Sequence, residues 1–414
     1  MADELHQTPA QLAVTPAQLA VTPAQLYGTA LLIHGGGPTP VLNASLVGVV
    51  DAARRFPHMR RLLGATHGVD GLLAGRFVDL LAQPHALIQQ LRHAPGSAIG
   101  SSRRHLPDQD YEQVHAAIAR HDIRYVFVTG GNGTQEMGWR ILETARHLGY
   151  ELVVIGIPKT VDNDLGETLF SPGYPSAARF FAQALRDIGE DNRSLPTPIN
   201  VTEVIGRNAG WVVGATALAR ANDDDPPHLI YLPEHPISED QLCTDVEQVY
   251  RRLGRCVVAI CEGQRNTAHQ PFGADSNAAP GSRDRLASNL GHQLAALLTR
   301  RLGVRARSEK PGLLGRSSAV DVPLLDRQAA YACGEAAVQQ AASGVNGCMV
   351  TIAALPDAHG CFAFGSAPLH QVAMMERTLP PAWITEAGNN VTPAFIAYAR
   401  QLVGDIAAHP RLSV

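Results

Sequence analysis

Apolar positions along this chain fall into two patterns. Residues 29–34, 124–129 and 152–157 are short runs dominated by Val, Ile, Leu and aromatic side chains. Runs of that length fit strands buried on both faces. Each ends in a turn: Gly35-Gly36-Gly37-Pro38, Gly130-Gly131-Asn132-Gly133-Thr134, and Pro158-Lys159-Thr160-Val161-Asp162-Asn163-Asp164. Between the runs, residues 40–55, 111–121, 135–148 and 176–191 follow the helical period. Strand, glycine turn, helix and strand make a βαβ unit, which predicts a parallel sheet and an α/β fold. Ligands of such sheets sit at the carboxyl ends of the strands, where the turns above lie.

Further along, the pattern predicts strands at 61–66, 199–205, 229–232, 257–261 and 348–355. It predicts helices at 213–221, 239–253, 286–302 and 329–342. Residues 266–285 are rich in Gly, Pro, Ser and Asn, and are expected to form a mobile loop. Residues 307–318 are expected to form a glycine-containing turn with two arginines, and the chain after Met375 a Pro-rich segment leading into a helix that ends near Ile406. At the other end, Thr-Pro-Ala-Gln-Leu recurs from Thr8, Thr15 and Thr22. Solenoid repeats need roughly 20 residues or more, and proline at this interval resists one continuous helix. A flexible tail is the expectation for residues 1–27.

At 414 residues, two domains are expected. A 45% hydrophobic and 17% charged composition fits a globular core. The net charge of −4 argues against non-specific nucleic-acid binding. No apolar run is long enough to span a bilayer, and no secretory signal pattern opens the chain. Cysteines 243, 256, 261, 333, 348 and 361 are scattered, as expected of reduced thiols in a cytoplasmic protein.

One bias changes the picture. Of 34 basic residues only Lys159 and Lys310 are lysines. An ammonium is a compact point charge and a guanidinium a wide fork, so a lysine retained against this bias marks a candidate functional position. Phosphoryl transfer needs a base for the attacking hydroxyl, cations for the phosphate oxygens and a divalent metal. Asp162 can be the base, Lys159 the cation, and Asp164 can orient substrate or hold Mg²⁺. Consecutive N–H groups across Gly130–Thr134 can cradle phosphate, although a plain structural turn has the same composition. Arg207, Arg307 and Arg316, each near glycine, are candidate phosphate forks, and Glu262 a candidate acceptor for sugar hydroxyls.

In their order these motifs resemble those of the phosphofructokinases. They are Gly36-Gly37-Pro38-Thr39-Pro40-Val41-Leu42-Asn43, Gly100-Ser101-Ser102-Arg103, Gly130–Thr134, Pro158–Asp164, Ile205-Gly206-Arg207, Glu262-Gly263 and Leu313-Leu314-Gly315-Arg316. The resemblance covers residues 29–356, and Glu376–Trp383 is similar to a C-terminal segment of the pyrophosphate-using branch. It implies two Rossmann-like three-layer domains with mostly parallel sheets and an active site in the cleft between them. The expected division is 28–168 with 313–343 for the phosphoryl donor, and 169–312 with 344–375 for the sugar phosphate. Residues 376–414 would be a C-terminal helical extension.

The resemblance further implies Mg²⁺-dependent phosphorylation of the 1-hydroxyl of fructose 6-phosphate. Asp162 would be the base, with Lys159, Thr160 and Asp164 beside it. The donor would be lined by Gly36, Gly37, Arg103, Gly131, Asn132, Gly133, Thr134 and Lys159. The sugar phosphate would be held by Thr160, Asp162, Asp164, Ile205, Gly206, Arg207, Glu262, Arg307, Lys310 and Arg316. Asn132 and Asp164 would hold the metal. Some 6-phosphate contacts in this family cross a subunit boundary, so a homodimer or homotetramer is expected.

The donor motifs conflict. Gly133 is the residue that ATP-using members tend to have, and Lys159 the one that pyrophosphate-using members tend to have. The adenine-stacking tyrosines of bacterial ATP enzymes are missing from Gly64-Ala65-Thr66-His67-Gly68-Val69. A lysine charge suits a compact anion with no adenosine to anchor it, so pyrophosphate is favoured, with ATP the alternative. Asn132 stands where the family has a metal-binding aspartate, Leu313 where it has a 6-phosphate histidine, and Pro198 near a cross-subunit arginine, for which Lys310 or another arginine is the candidate substitute. Val47 and Asp51 stand at the effector-site arginines of allosteric bacterial enzymes, so no activation by a nucleoside diphosphate is expected. Two other classes compete. NAD and lipid kinases share the glycine turn but lack the Pro158–Asp164 turn, and a non-catalytic regulatory paralogue would explain Asn132 but not an intact Asp162.

Overall fold

The computed structural model describes residues 26–195, 198–272 and 289–412. The Thr-Pro-Ala-Gln-Leu repeats lie outside the described residues, as does most of the expected loop at 266–285. In chain order the described strands are β1 (Gly28–His34), β2 (Met59–Ala65), β3 (Phe77–Asp79), β4 (Ile123–Gly130), β5 (Val153–Pro158), β6 (Ile199–Val204), β7 (Leu229–Tyr231), β8 (Cys256–Cys261), β9 (Ala306–Glu309), β10 (Cys348–Ala354) and β11 (Ala363–Pro368). They form one sheet in the order β11-β10-β5-β4-β1-β2-β3 and a second in the order β7-β8-β6-β9. The second sheet is wholly parallel, and in the first only the edge pairs β2–β3 and β10–β11 are antiparallel. This is the α/β architecture expected from the sequence.

Strand β1 shows why its sequence does not alternate. Ala30 and Leu32 pack into one core with Leu46, Val50 and Ala337, while Leu31 and Ile33 pack into another with Val114, Ile118 and Ile141. Both faces are covered by helices, so the central positions Ala30–Ile33 are all apolar. The chain leaves β1 toward β2 on one side and returns through β4 to β5 on the other. The carboxyl ends of β1 and β4 therefore flank the crevice at the switch point, where such sheets bind ligands. The helix Leu324–Ala342 lies on the helix Leu42–Arg54 at glycine-limited distance. A Cβ on Gly48 would stand 2.0 Å from the Tyr331 carbonyl, and one on Gly334 would stand 2.1 Å from that of Ser45.

Two expectations are corrected. Residues 344–375 do not join the second sheet: β10 runs parallel to β5, with Cys348 opposite Ile155, and β11 closes that edge of the first. Buried Leu369 and Val372 of the following helix Leu369–Met374 pack into the same core as Val154 and Met349. Residues 306–309 are an edge strand rather than a turn, with Arg307 opposite Asn200. Their side chains alternate between half-buried and exposed, and the segment has no apolar run.

The last helix, Pro393–Val403, binds the second domain through an aromatic cluster of Trp211, Trp383, Phe395 and Tyr398. Between the sheets lies the helix Tyr174–Ser194. Its N-terminus is capped from outside by Asp326, which accepts from Gly173 N at 2.8 Å, Ser176 N at 3.0 Å and Ser176 Oγ at 2.5 Å. Asp326 is fully buried, and burial pushes its carboxyl up to about 6. Asp326→Ala leaves these donors unpaired inside the protein and is expected to cost about 3 kcal/mol, read as a lower thermal midpoint, with Asp326→Asn intermediate.

Candidate active site

Three turns meet at the carboxyl edge of the first sheet. After β1, Gly35 N donates to Thr129 O at 2.9 Å and Gly36 N to Ser102 O at 2.9 Å. Ser101 Oγ returns a hydrogen bond to Gly36 O at 2.7 Å, which fixes the strand that carries Arg103. After β4 the helix Asn132–His147 begins at once, with Gly131 as its cap and Thr134 in its first turn. Thr134 fills the space beside both glycine turns: a Cβ on Gly35 or on Gly130 would stand 2.2 Å from its Oγ1. Unpaired N–H groups at such a helix start favour an anion.

After β5 comes Lys159. Its side chain is buried, and Nζ donates to Gly35 O and Gly37 O, both at 2.9 Å. Burial lowers its pKa to about 8, partly opposed by Asp162 and Asp164. Gly36 has φ +76°, where a side chain is strained, and a Cβ there would lie 3.2 Å from Lys159 Nζ. A Cβ on Gly37 would stand 2.0 Å from Arg316 Nη1 and 3.2 Å from Arg103 Nη2. One lysine and two arginines thus converge on a bare glycine backbone. Arg316 reaches this place from the short helix Leu314–Ser317, which is seated by Gly315 against the Phe181 ring.

Asp162 and Asp164 stand beside this cationic group. Burial raises the Asp162 carboxyl well above the usual range, and Asp164 adds to the rise while Arg207 and Lys159 oppose it. Asp164 is raised too, chiefly by burial, with a hydrogen bond from Thr160 and the charge of Arg207 opposing it. The backbone holds this loop at several points. Asp162 N donates to Thr160 Oγ1 at 3.1 Å, and Thr160 bridges to Gly173. Asn163 sits at φ +55°, with its Oδ1 accepting from Ser171 N at 2.9 Å.

From the second sheet, β6 delivers Ile205, Gly206 and Arg207, and β8 delivers Glu262. Gly206 has φ +147° and Arg207 φ +50°. Glu262 Oε1 accepts from both of their N–H groups at 3.4 Å, and Glu262 N donates to Val204 O at 2.8 Å. Burial raises the Glu262 carboxyl. Gly263 has no room for a side chain, since a Cβ would stand 1.5 Å from Arg207 O. Arg207 and Glu262 act on Asp162 electrostatically, so the loops of the two sheets face one another.

Arg307 and Lys310 are not brought to this group. Arg307 is exposed on edge strand β9. Lys310 Nζ pairs with Glu203 Oε1 at 2.7 Å, beside a cavity of about 390 Å³ lined by Glu203, His292 and Ser308. Leu313, at the place of the family's histidine, is 68% exposed. Sequence reasoning missed His34, which is buried under the glycine turn with Nδ1 2.8 Å from Ser97 Oγ. Burial and then Lys159 push it down to about 3, so it is neutral. The Glu376–Trp383 motif contains Arg377, but its similarity to the pyrophosphate-using branch assigned that arginine no role, because its partners are backbone carbonyls.

Two buried oxygens bear on a metal. Asn132 Oδ1 and Asp164 Oδ1 are shielded from solvent and have no hydrogen-bond partner. Hard oxygen donors of this kind fit Mg²⁺, which takes one or two protein oxygens and completes its shell with water and substrate phosphate. Among the described residues no group of at least 3 His, Cys, Asp or Glu is arranged to hold an ion. The residues present therefore fit a Mg²⁺ shared with a phosphate ligand.

A Phosphofructokinase family profile matches residues 29–341. The chain belongs to the phosphofructokinase family. It is 37% identical over 388 residues to a pyrophosphate–fructose 6-phosphate 1-phosphotransferase of Rhodospirillum rubrum, covering 91% of this chain and 94% of that one. A pyrophosphate-dependent phosphofructokinase structure from Nitrosospira multiformis superposes with a TM-score of 0.82 at 29% identity, over 93% of this chain and 94% of that one. An ATP-dependent 6-phosphofructokinase of Trypanosoma cruzi is 27% identical over 66% of this chain and 54% of its own. These likenesses agree with the resemblance drawn from the motifs and with its two-domain α/β fold.

The charges of the site set a pH profile. A base must be deprotonated, and with Asp162 raised, a reaction that uses it as the base should have its acid limb well above the ordinary carboxylate range. If Lys159 acts as the cation, its pKa lowered to about 8 should place the alkaline limb there. A bell-shaped kcat/KM, measured from pH 5 to 9.5, is the expected outcome. Asp162→Asn is expected to lower kcat by about 10²–10⁴ with little change in KM.

Proposed function

We propose that this phosphofructokinase transfers a phosphoryl group from pyrophosphate to the 1-hydroxyl of fructose 6-phosphate. The products are fructose 1,6-bisphosphate and phosphate, and the reaction is reversible. The observation that carries this reading is the buried Lys159 ammonium, held by Gly35 O and Gly37 O at 2.9 Å under the donor turn. The Rhodospirillum rubrum relative named for pyrophosphate supports the same donor.

Asp162 takes the proton of the 1-hydroxyl, and its raised pKa makes it a competent acceptor near neutral pH. The freed oxygen attacks the terminal phosphorus, and the bond to the bridging oxygen breaks as phosphate leaves. Lys159 and Arg103, with N–H groups of Gly131–Gly133, hold the charge that gathers on the phosphate oxygens. Thr160 and Asp164 orient the sugar, Arg207 and Arg316 hold its 6-phosphate, and Glu262 accepts from its hydroxyls. Arg307, exposed on β9, serves the 6-phosphate of a neighbouring subunit, which makes the protein a homo-oligomer.

When bound, Mg²⁺ at Asn132 and Asp164 would neutralise phosphate charge and keep the donor in line. An asparagine brings oxygen without charge, so Asn132→Asp should lower the half-saturating Mg²⁺ concentration; no change would remove Asn132 from the metal set. No helix among the described residues is long and apolar enough to cross a membrane, and the protein is proposed to act in the cytoplasm.

Purified protein with fructose 6-phosphate and Mg²⁺ should turn over with pyrophosphate, and in reverse with phosphate. Turnover with ATP alone would overturn the donor. Turnover with neither would favour a regulatory paralogue.

A further inference from the structure

The segment Glu376–Leu379 lies beyond residues 29–341 of the family match, yet it touches both halves of the site. Arg377 N donates to Asp164 O at 2.8 Å. Its guanidinium donates to Asn163 O from Nε at 3.1 Å and from Nη2 at 3.0 Å. Nη1 donates to Thr168 O at 2.5 Å and to Leu169 O at 3.2 Å. One residue thus fixes both peptide units that flank Asp164.

The same segment is anchored to the loop of the second sheet. Trp211 Nε1 donates to Arg377 O at 2.9 Å, and the guanidinium carbon lies 4.5 Å from the Trp211 ring centroid. Glu376 accepts from Asn208 Nδ2 at 3.2 Å. Half-buried Glu234 joins the two, accepting from Gly210 N and Leu379 N at 2.8 Å. Tyr398 completes the hold: its hydroxyl accepts from Asn163 Nδ2 at 3.0 Å and donates to Leu169 O at 2.9 Å. Asn163 is left-handed at φ +55°, a conformation that persists only where its surroundings over-determine it.

We propose that Arg377 is a positioning residue for phosphoryl transfer, clamping the peptides on either side of Asp164 and tying that loop to the Arg207–Trp211 turn. The clamp fixes where Asp162 and Asp164 stand relative to Arg207 without touching substrate. A guanidinium suits the task because its planar fork reaches several carbonyls at once, which an ammonium cannot. This inference rests on the phosphotransferase reading above.

The test compares wild type with Arg377→Met, Arg377→Lys and Tyr398→Phe. The readouts are kcat, KM for fructose 6-phosphate, and hydrogen exchange of peptides covering residues 160–172. Misplacement of catalytic groups by a distant change can cost about 10²-fold, so kcat of Arg377→Met should fall by about that factor. KM should stay within about threefold, because only a transition-state arrangement is lost. Exchange should rise in 160–172 and not in β4 or β8. Arg377→Lys should recover part of the rate, and Tyr398→Phe, which keeps the ring, should shift kcat and exchange the same way by less.

Three results would overturn the proposal: kcat within about twofold of wild type in Arg377→Met, a rise in KM alone, or an exchange increase spread over the whole molecule. A wild-type protein without turnover on any donor would instead overturn the phosphotransferase reading. Exchange at 160–172 would then decide the clamp, and protection unchanged in Arg377→Met would refute it.

Discussion

A buried ammonium is the constraint on which the rest depends. Lys159 leaves solvent at the end of β5 and must find acceptors there, since an unpaired charge in an apolar interior is prohibitively costly. It finds Gly35 O and Gly37 O. Those carbonyls are available because the turn after β1 is free of side chains, with Gly36 at a positive φ and Gly37 pressed by Arg316. The two aspartates of the same loop supply opposite charge. A guanidinium, wide and planar, could not occupy this space, which explains a lysine in a chain so biased to arginine.

That arrangement requires the sheet. Parallel strands bring the turns after β1, β4 and β5 to one edge, and the switch between β1 and β4 opens the crevice they line. The second sheet presents Arg207 and Glu262 from the other side, stabilised by their mutual backbone contacts. What keeps the two loops in register is partly the C-terminal segment, through Arg377, Trp211 and Tyr398. The position of the Pro158–Asp164 loop therefore depends on contacts from residues far along the chain.

The parts legible in the sequence were those with local signals. β1, β4 and β5 are apolar runs ending at Gly or Pro, and the Pro158–Asp164 loop combines charges seldom found after a buried strand. Strand β9 was illegible because Ala306–Glu309 has no apolar run, and β11 because Ala363–Pro368 is small and half-exposed. The placement of residues 344–375 failed for another reason: which sheet a strand joins is decided by packing far along the chain, here Cys348 against Ile155. Lys310 was singled out by rarity, but its partner Glu203 is a buried carboxylate that no local pattern announced. Arg377 lies in the recognised Glu376–Trp383 motif, but its role was illegible because it reads carbonyls, and every residue has one.

The central claim is that the Lys159 ammonium takes the place of a nucleotide anchor in binding a compact anionic donor. Lys159→Met, which keeps a long unbranched side chain and removes the charge, tests it most directly. The account predicts that kcat/KM for pyrophosphate falls about 10²-fold while fructose 6-phosphate binding, measured calorimetrically without donor, is unchanged. A variant that uses pyrophosphate as well as wild type, or that loses sugar-phosphate binding instead, would contradict it.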